Sequence, residues 1–403
     1  MERRVVVTGL GIVSSIGIGW QDFWSNLIQG KSGISRITSF DTSSYDRHYG
    51  GEIKNFHPED FIDRRKLKNI GRASQLAVSA SKLALKDAGL SKKDLTKIKT
   101  GVCVGTTMGE ALVLEAINNA WFNKKLDSIS PELIQDYPVN VIASNIAVTL
   151  KLRNLSFVFS NACAAGNYSI GYAFDFIKTG RVEAMLAGGV DAFTRLNLTG
   201  FSRLFAVAPK ICQPFDKNRK GMLVGEGAGM LVLENLESAL KRKAEIYAEV
   251  LGYGLSCDAQ DMTAASVEGV SRCIDKSLKA ANIKPEQVDY ISAHGTGTPT
   301  NDKVECAAIK KVFKNYKKIP ISSIKSMLGH TMGAAAAIEA IVCCLTIKEG
   351  IIPPTINYKT PDSDCDIDCV PNKARKQAVK IVLNNSQAFG GNNACVALRK
   401  YNA

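Results

Sequence analysis

Two stretches of this chain follow one plan: an apolar strand-like run stops at a cluster of small residues, and an Ala- or Gly-rich helical run begins at once. The first is LSFVFSNACAAGNYSIGYA, from Leu155; the second is IPISSIKSMLGHTMGAAAAIEA, from Ile319. Handing a strand over to a helix through so short a turn needs residues that tolerate close backbone approach. Finding the device twice constrains the chain to an α/β fold built by duplication.

The surrounding sequence agrees. In the first half RRVVVTGLG, KTGVCVGTT, LSFVF and VEAMLAGGV read as buried strands, with SQLAVSASKLALKDAG, VNVIASNIAVTL and the run after Cys163 between them. The second half repeats the order with IYAEVLGYG, VDYISAHGTGT, IPISSIKS, KIVLNNSQAFGG and NACVALRKY as strands. Its helices are SVEGVSRCIDKSLKAANI, DKVECAAIKKVF and GAAAAIEAIVCCLTIKEG. Near-continuous apolar strands alternating with helices mark sheets covered on both faces. The division is expected between an N-terminal half, 1–245, and a C-terminal half, 246–403. Residues 192–245 read as largely irregular. Their GEGAG lacks the GK[ST] ending of a phosphate loop, so these glycines are expected where backbones approach closely.

At 403 residues, 45% of them hydrophobic, the chain can bury a large core. It opens directly into a strand, with no apolar leader, and its longest apolar run is interrupted by Glu339 and is too short to span a bilayer. A cytoplasmic protein is expected. The net charge of +13 raises nucleic acid as a partner, but the cations are dispersed and no reading element accompanies them, so none is expected. One local cluster stands out, Arg64, Arg65, Lys66 and Lys68 in DRRKLKN.

Chemistry centres on one of eleven cysteines. Their spacings form neither a disulfide framework nor a zinc knuckle. Cys163 differs from the rest because it falls at a helix N-terminus, where backbone N–H groups and the helix dipole favour an anion such as a thiolate. Of four histidines, His48 and His57 sit in polar loop sequence, whereas His294 in SAHGTGTPTND and His330 in KSMLGHTMGAA each follow an apolar strand amid Gly, Ser and Thr. One Cys and two His in three strand-end loops can converge on a pocket suited to thiol attack, with imidazoles as hydrogen-bonding groups. A zinc site would need a closely spaced Cys pair and a Glu beside the His, which AHGTG lacks, so no metal is expected.

NACAAG, HGTGTPTND, KSMLGHTMGAAAAIEA and SQAFGGNN, in this order, resemble the motifs of the β-ketoacyl-[acyl carrier protein] synthases of the elongating type II group, in the thiolase-like superfamily. The similarity runs from RRVVVTGLG to FGGNNACVALRKY. It implies a thiolase-like α/β fold whose two similar halves stack as α-β-α-β-α layers. Two histidines set the chain apart from initiating synthases, which pair Cys with His and Asn, and from thiolases, which use a second Cys. Retention of Cys163 sets it apart from chain-length factors.

The resemblance implies decarboxylative condensation of malonyl-carrier protein with an acyl chain on Cys163, assisted by His294 and His330. Phe389, Gly390 and Gly391 would form the oxyanion and gating turn. Lys325 with Glu339 would be a buried ion pair supporting the site, and Glu305 would support the first His loop. Met108 and Phe201 would line the acyl pocket, and Arg64, Arg65, Lys66 and Lys68 would receive an acidic carrier protein. No cofactor is implied beyond the carrier's phosphopantetheine. The partner subunit would be a second copy or a homologous chain-length-factor-like chain. Gly297 in HGTGTPTND leans toward type II polyketide or polyene synthesis over housekeeping fatty-acid elongation. A malonyl-carrier-protein decarboxylase and a non-catalytic subunit are the alternatives.

Overall fold

The computed structural model describes residues 3–402, apart from the side chains at positions 92 and 126. Its main sheet is built from β1 (Val5–Ser14), β2 (Thr100–Gly105), β3 (Ser156–Phe159), β4 (Ala184–Asp191), β5 (Gly227–Asn235), β6 (Ala248–Cys257), β7 (Tyr290–Ser292), β8 (Ile321–Ser322), β9 (Ile381–Ala388) and β10 (Asn392–Arg399). These form one hydrogen-bonded path in the order β8-β7-β9-β10-β6-β1-β5-β4-β2-β3, and the short strand Gly17–Ile18 turns back onto β1.

The path is symmetric about its centre. In each half the first strand pairs antiparallel with the fifth, the fifth antiparallel with the fourth, the fourth parallel with the second, and the second parallel with the third. The halves join where β1 meets β6 through Val5–Val250, Val6–Glu249 and Val7–Ala248. Identical order and direction in both halves is what duplication predicts.

Six helices complete the layers: α1 (Arg72–Asp87), α2 (Val141–Leu150), α3 (Ala165–Lys178), α4 (Val267–Ala280), α5 (Pro299–Val312) and α6 (Ala335–Glu349). Helices α3 and α6 touch strands of both halves and lie between the half-sheets. Helices α1 and α2 cover the outer face of the first half, while α4, with α5 packed on it, covers the second. The result is an α-β-α-β-α stack. Every residue of α6 from Ala335 to Ile347 is buried, the environment in which a helix apolar all round is stable. Its backbone comes so close to β5 that a Cβ on Gly229 would lie 2.9 Å from the Ile338 nitrogen. The glycine makes that approach possible.

Two segments depart from the sequence reading. Within 192–245, β5 is a nine-residue strand buried throughout, although the glycines leading into it weaken strand propensity. They serve tertiary contact instead. In IPISSIKS only Ile321–Ser322 pairs as strand, and the chain then turns into the short helix Lys325–Leu328, carrying the Lys325 side chain into the interior. Among the described residues no helix is long and apolar enough to cross a membrane.

Candidate active site

Both duplicated turns are built alike. After β3, Ala162 takes a left-handed φ of 46° and begins the 3-10 turn Ala162–Ala164, which runs into α3. After the second apolar run, Met332 takes a φ of 52° and begins the turn Met332–Ala334, which runs into α6. Left-handed non-glycine residues cost on the order of 1–3 kcal/mol each, so two at matching places indicate a turn held by its surroundings. Cys163 occupies in the first elbow the place Gly333 occupies in the second.

Cys163, His294, His330, Phe201 and Phe389 meet around one cavity of about 250 Å³. The sequence placed these five in separate motifs. The imidazoles of His294 and His330 stand with ring centroids 5.2 Å apart and planes at 80°. Backbone N–H of Met332 donates to His330 Nδ1 at 3.2 Å, which places the ring hydrogen on Nε2. That Nε2 is buried without a protein partner, as is His294 Nδ1. Unpaired buried polar atoms are uncommon in folded proteins and here border the cavity.

One carboxylate anchors the His294 loop, and a buried ion pair adds charge near both rings. Glu305, buried on α5, accepts from the N–H groups of His294 and Gly295, both at 2.8 Å. Lys325 Nζ donates to Glu339 Oε1 at 2.5 Å, and both side chains are almost wholly buried. Burial pushes both histidines well below their ordinary value of 6.5, and the Lys325 charge lowers them further. Both rings are therefore neutral at pH 7. Burial raises Glu305 to about 7 against its two backbone donors, and raises Glu339 to about 7 against the opposing pull of Lys325.

Cys163 departs from the sequence expectation of a resting thiolate. Burial pushes its thiol up to about 12, and Asp191 and Glu339 act in the same direction; Lys325 and a backbone hydrogen bond oppose this only in part. Desolvation of the anion outweighs the helix terminus. The resting side chain is a thiol.

Other candidates fall in different places. Phe201 and Phe389 rings stand 5.6 Å apart beside the cavity. Gly390 and Gly391 continue the Phe389 turn with φ of 77° and 71°, and Gly390 N–H donates to the Met262 carbonyl at 2.8 Å. Met108 does not line this cavity; it lies half-buried on the loop after β2. Arg64, Arg65, Lys66 and Lys68 are exposed on and just after the short helix Arg64–Leu67. Among the described residues no group of three or more His, Cys, Asp or Glu is placed to hold a metal ion.

Several site residues went unmarked in the sequence. Thr296 and Thr298 line the cavity and bond to each other through their hydroxyls at 2.9 Å; their signal was present in HGTGTPTND. Gln387 also lines it, with both amide atoms unpartnered. Asp191, at the end of β4, binds both the Met108 loop and the second elbow.

Residues 2–239 match the family described as "Beta-ketoacyl synthase, N-terminal domain", and residues 247–359 match "Beta-ketoacyl synthase, C-terminal domain". The chain is 41% identical over 410 residues to a 3-oxoacyl-[acyl-carrier-protein] synthase 2 of Synechocystis sp., covering 99% of each chain. Among solved structures, "The ishigamide ketosynthase/chain length factor" matches with TM-score 0.97 and 45% identity over the full length of both chains. A type II PKS acyl-carrier protein in complex with its ketosynthase, bound to the hexaketide, matches with TM-score 0.91 and 35% identity, again over both full lengths. Relatives thus occur in both fatty-acid and type II polyketide systems. The chain belongs to the β-ketoacyl synthase family and is a condensing enzyme with the thiolase-like fold, a β-ketoacyl-[acyl carrier protein] synthase.

Proposed function

We propose that the chain extends a carrier-bound acyl group by two carbons, with Cys163 as nucleophile and His294 and His330 as the donors that drive decarboxylation. The supporting observation is the convergence of this thiol and two neutral imidazoles on one cavity. The N-terminal half, to residue 245, supplies the thiol; the C-terminal half, from 246, supplies both imidazoles.

In the first half reaction Cys163 Sγ attacks the thioester carbonyl of an acyl chain on phosphopantetheine. The Sγ proton ends on the departing pantetheine sulfur, so no net proton is consumed. The N–H groups of Cys163 and Phe389 hold the tetrahedral oxyanion. In the second, the malonyl thioester oxygen accepts from His330 Nε2–H and from His294. As the C–C bond to the carboxylate breaks and carbon dioxide leaves, its electron pair enters the enolate these donors stabilise. The enolate carbon attacks the acyl-Cys163 carbonyl, the C–S bond breaks, and Cys163 leaves as a thiolate that takes up one proton from solvent to restore the resting thiol, the one proton the overall condensation consumes. Lys325 keeps the imidazoles neutral, and Glu305 fixes the loop carrying His294.

Strand β3 supports a homologous partner chain. It lies at the end of the sheet path with one edge unpaired, and Phe157, Trp121, Phe122 and Val148 are exposed in its half. Edge strands beside apolar surface pair with other chains. The partner is a second copy or a chain-length-factor-like subunit, and the carrier protein docks on Arg64, Arg65, Lys66 and Lys68 in the cytoplasm. Gly297 and the full-length match to the ishigamide ketosynthase/chain length factor favour type II polyketide or polyene synthesis. The test is incubation with malonyl-carrier protein and acyl-carrier proteins of graded chain length. A carrier-bound β-keto product two carbons longer supports the reading; decarboxylation with no condensation product from any primer, with or without a homologous partner, overturns it.

A further inference from the structure

The Asp191 carboxylate closes β4, is fully buried, and has no part in the steps above. Both of its oxygens are filled. Oδ1 accepts from the Thr106 hydroxyl at 2.8 Å and Met108 N–H at 2.9 Å; Oδ2 accepts from Thr107 N–H at 2.8 Å and Gly333 N–H at 2.6 Å. A buried carboxylate saturated by three backbone amides and a hydroxyl fixes the segments that supply them.

The internal repeat gives this arrangement its meaning. His294 and Gly295 lie two and three residues past β7, and their N–H groups are taken by Glu305. Thr107 and Met108 lie two and three residues past β2, and theirs are taken by Asp191. Asp191 also takes the N–H of Gly333, which stands in the second elbow where Cys163 stands in the first. Beside the thiol-bearing elbow that amide is assigned to a developing oxyanion. In the other half the Asp191 side chain takes its place.

We propose that Asp191 is a positioning residue that ties the loop carrying Met108 to the elbow presenting His330. One carboxylate thereby sets the geometry of decarboxylation. The link to His330 is short, because Met332, next to Gly333, donates its N–H to His330 Nδ1. Space around the elbow is tight: a Cβ on Gly333 would lie 2.6 Å from the Thr106 Cα. The inference rests on the reading of His330 as a donor.

Asp191→Ala and Asp191→Asn, in the full chain, test it. Malonyl decarboxylation is measured per reactive Cys163, titrated with iodoacetamide. Alanine leaves four buried donors without an acceptor, so the decarboxylation kcat should fall about tenfold or more while KM for malonyl-carrier protein changes less than about threefold. Asparagine should place its carbonyl on Thr107 and Gly333 and its NH₂ toward the Thr106 hydroxyl, because the reverse orientation strands two N–H groups rather than one. It should recover decarboxylation to within about threefold of wild type, with only Met108 N–H still unpaired. Its neutral side chain should also let Cys163 alkylate at lower pH. A purely structural role would lower melting temperature and the fraction of reactive thiol, leaving per-site kcat at its wild-type value, and that result overturns the proposal. If the wild type is not acylated at Cys163, the reading of the site fails and the inference with it.

Discussion

His294 and His330 face one another edge to face, 5.2 Å between ring centroids, with no acidic partner on either ring. A general base of the usual kind is oriented by a carboxylate that also stabilises its charged form. Here burial and the nearby Lys325 cation do the opposite and keep both rings neutral. The pair is arranged to donate hydrogen bonds to a developing anion.

His294→Ala and His330→Ala should therefore each slow malonyl decarboxylation by about 10²–10³-fold, the effect typical of losing one preorganised oxyanion donor. Both variants should still acylate Cys163 from acyl-carrier protein at a measurable rate. Stopped-flow release of carbon dioxide, with intact-protein mass measured in parallel, separates the two activities; an undiminished condensation rate in either variant would misplace that loop.

Both histidine pKa values lie well below 6.5, so the acid limb of the decarboxylation profile should fall below pH 6.5. Protonation at His330 Nδ1 would remove the acceptor for Met332 N–H and add a second cation beside Lys325. Lys325→Met removes that cation and should move the limb upward. A limb at the ordinary histidine value in the wild type, or one unmoved by the substitution, contradicts the assignment.

Lys325→Met should also destabilise the fold by about 3–5 kcal/mol at alkaline pH, where it leaves a charged Glu339 buried without its partner. Without Lys325 the Glu339 carboxyl shifts above its present value of about 7, whereas in the unfolded chain it stays near the ordinary 4.5. A raised folded-state pKa gives stability that is present below the unfolded value and lost as pH rises through the folded one. The deficit should therefore shrink as pH falls from the alkaline side toward about 7, where Glu339 takes up its proton in the wild type as well, readable by denaturant melts; a deficit that is independent of pH above 7 would point to packing alone.

Arg65 is exposed, and among the described residues Asp63, at 3.5 Å, is the one acidic side chain paired with it. Charge reversal at Arg65 and Lys68 should raise the apparent KM for carrier-bound substrates and flatten its salt dependence, since rim charges act mainly on encounter. Pantetheine thioesters, which carry no acidic protein, should be turned over as before. Equal damage to both substrate types would place the defect in the pocket or the fold.

Cys163, His294 and His330 could be found in the sequence because each sits in a short segment whose small residues and preceding strand announce a strand-end loop. The duplication was visible for the same reason. Asp191 and Gln387 were not, because their significance comes from tertiary neighbours: Asp191 meets Gly333 across 142 residues of chain, and nothing local in LAGGVDAF marks it. Strand β5 was hidden by glycines whose purpose is contact with α6 rather than strand formation. The thiol of Cys163 was misjudged because a helix terminus is readable from sequence and full desolvation is not.

Intact-protein mass spectrometry of wild type and Cys163→Ala after exposure to acyl-carrier protein, followed by malonyl-carrier protein, tests the assignment of the nucleophile most directly. The wild type should gain one acyl group, mapped to Cys163, and lose it on addition of malonyl-carrier protein. The alanine variant should gain none yet continue to release carbon dioxide at an equal or higher rate, since its two imidazole donors are intact. Acylation of the alanine variant at any residue would contradict Cys163 as the nucleophile.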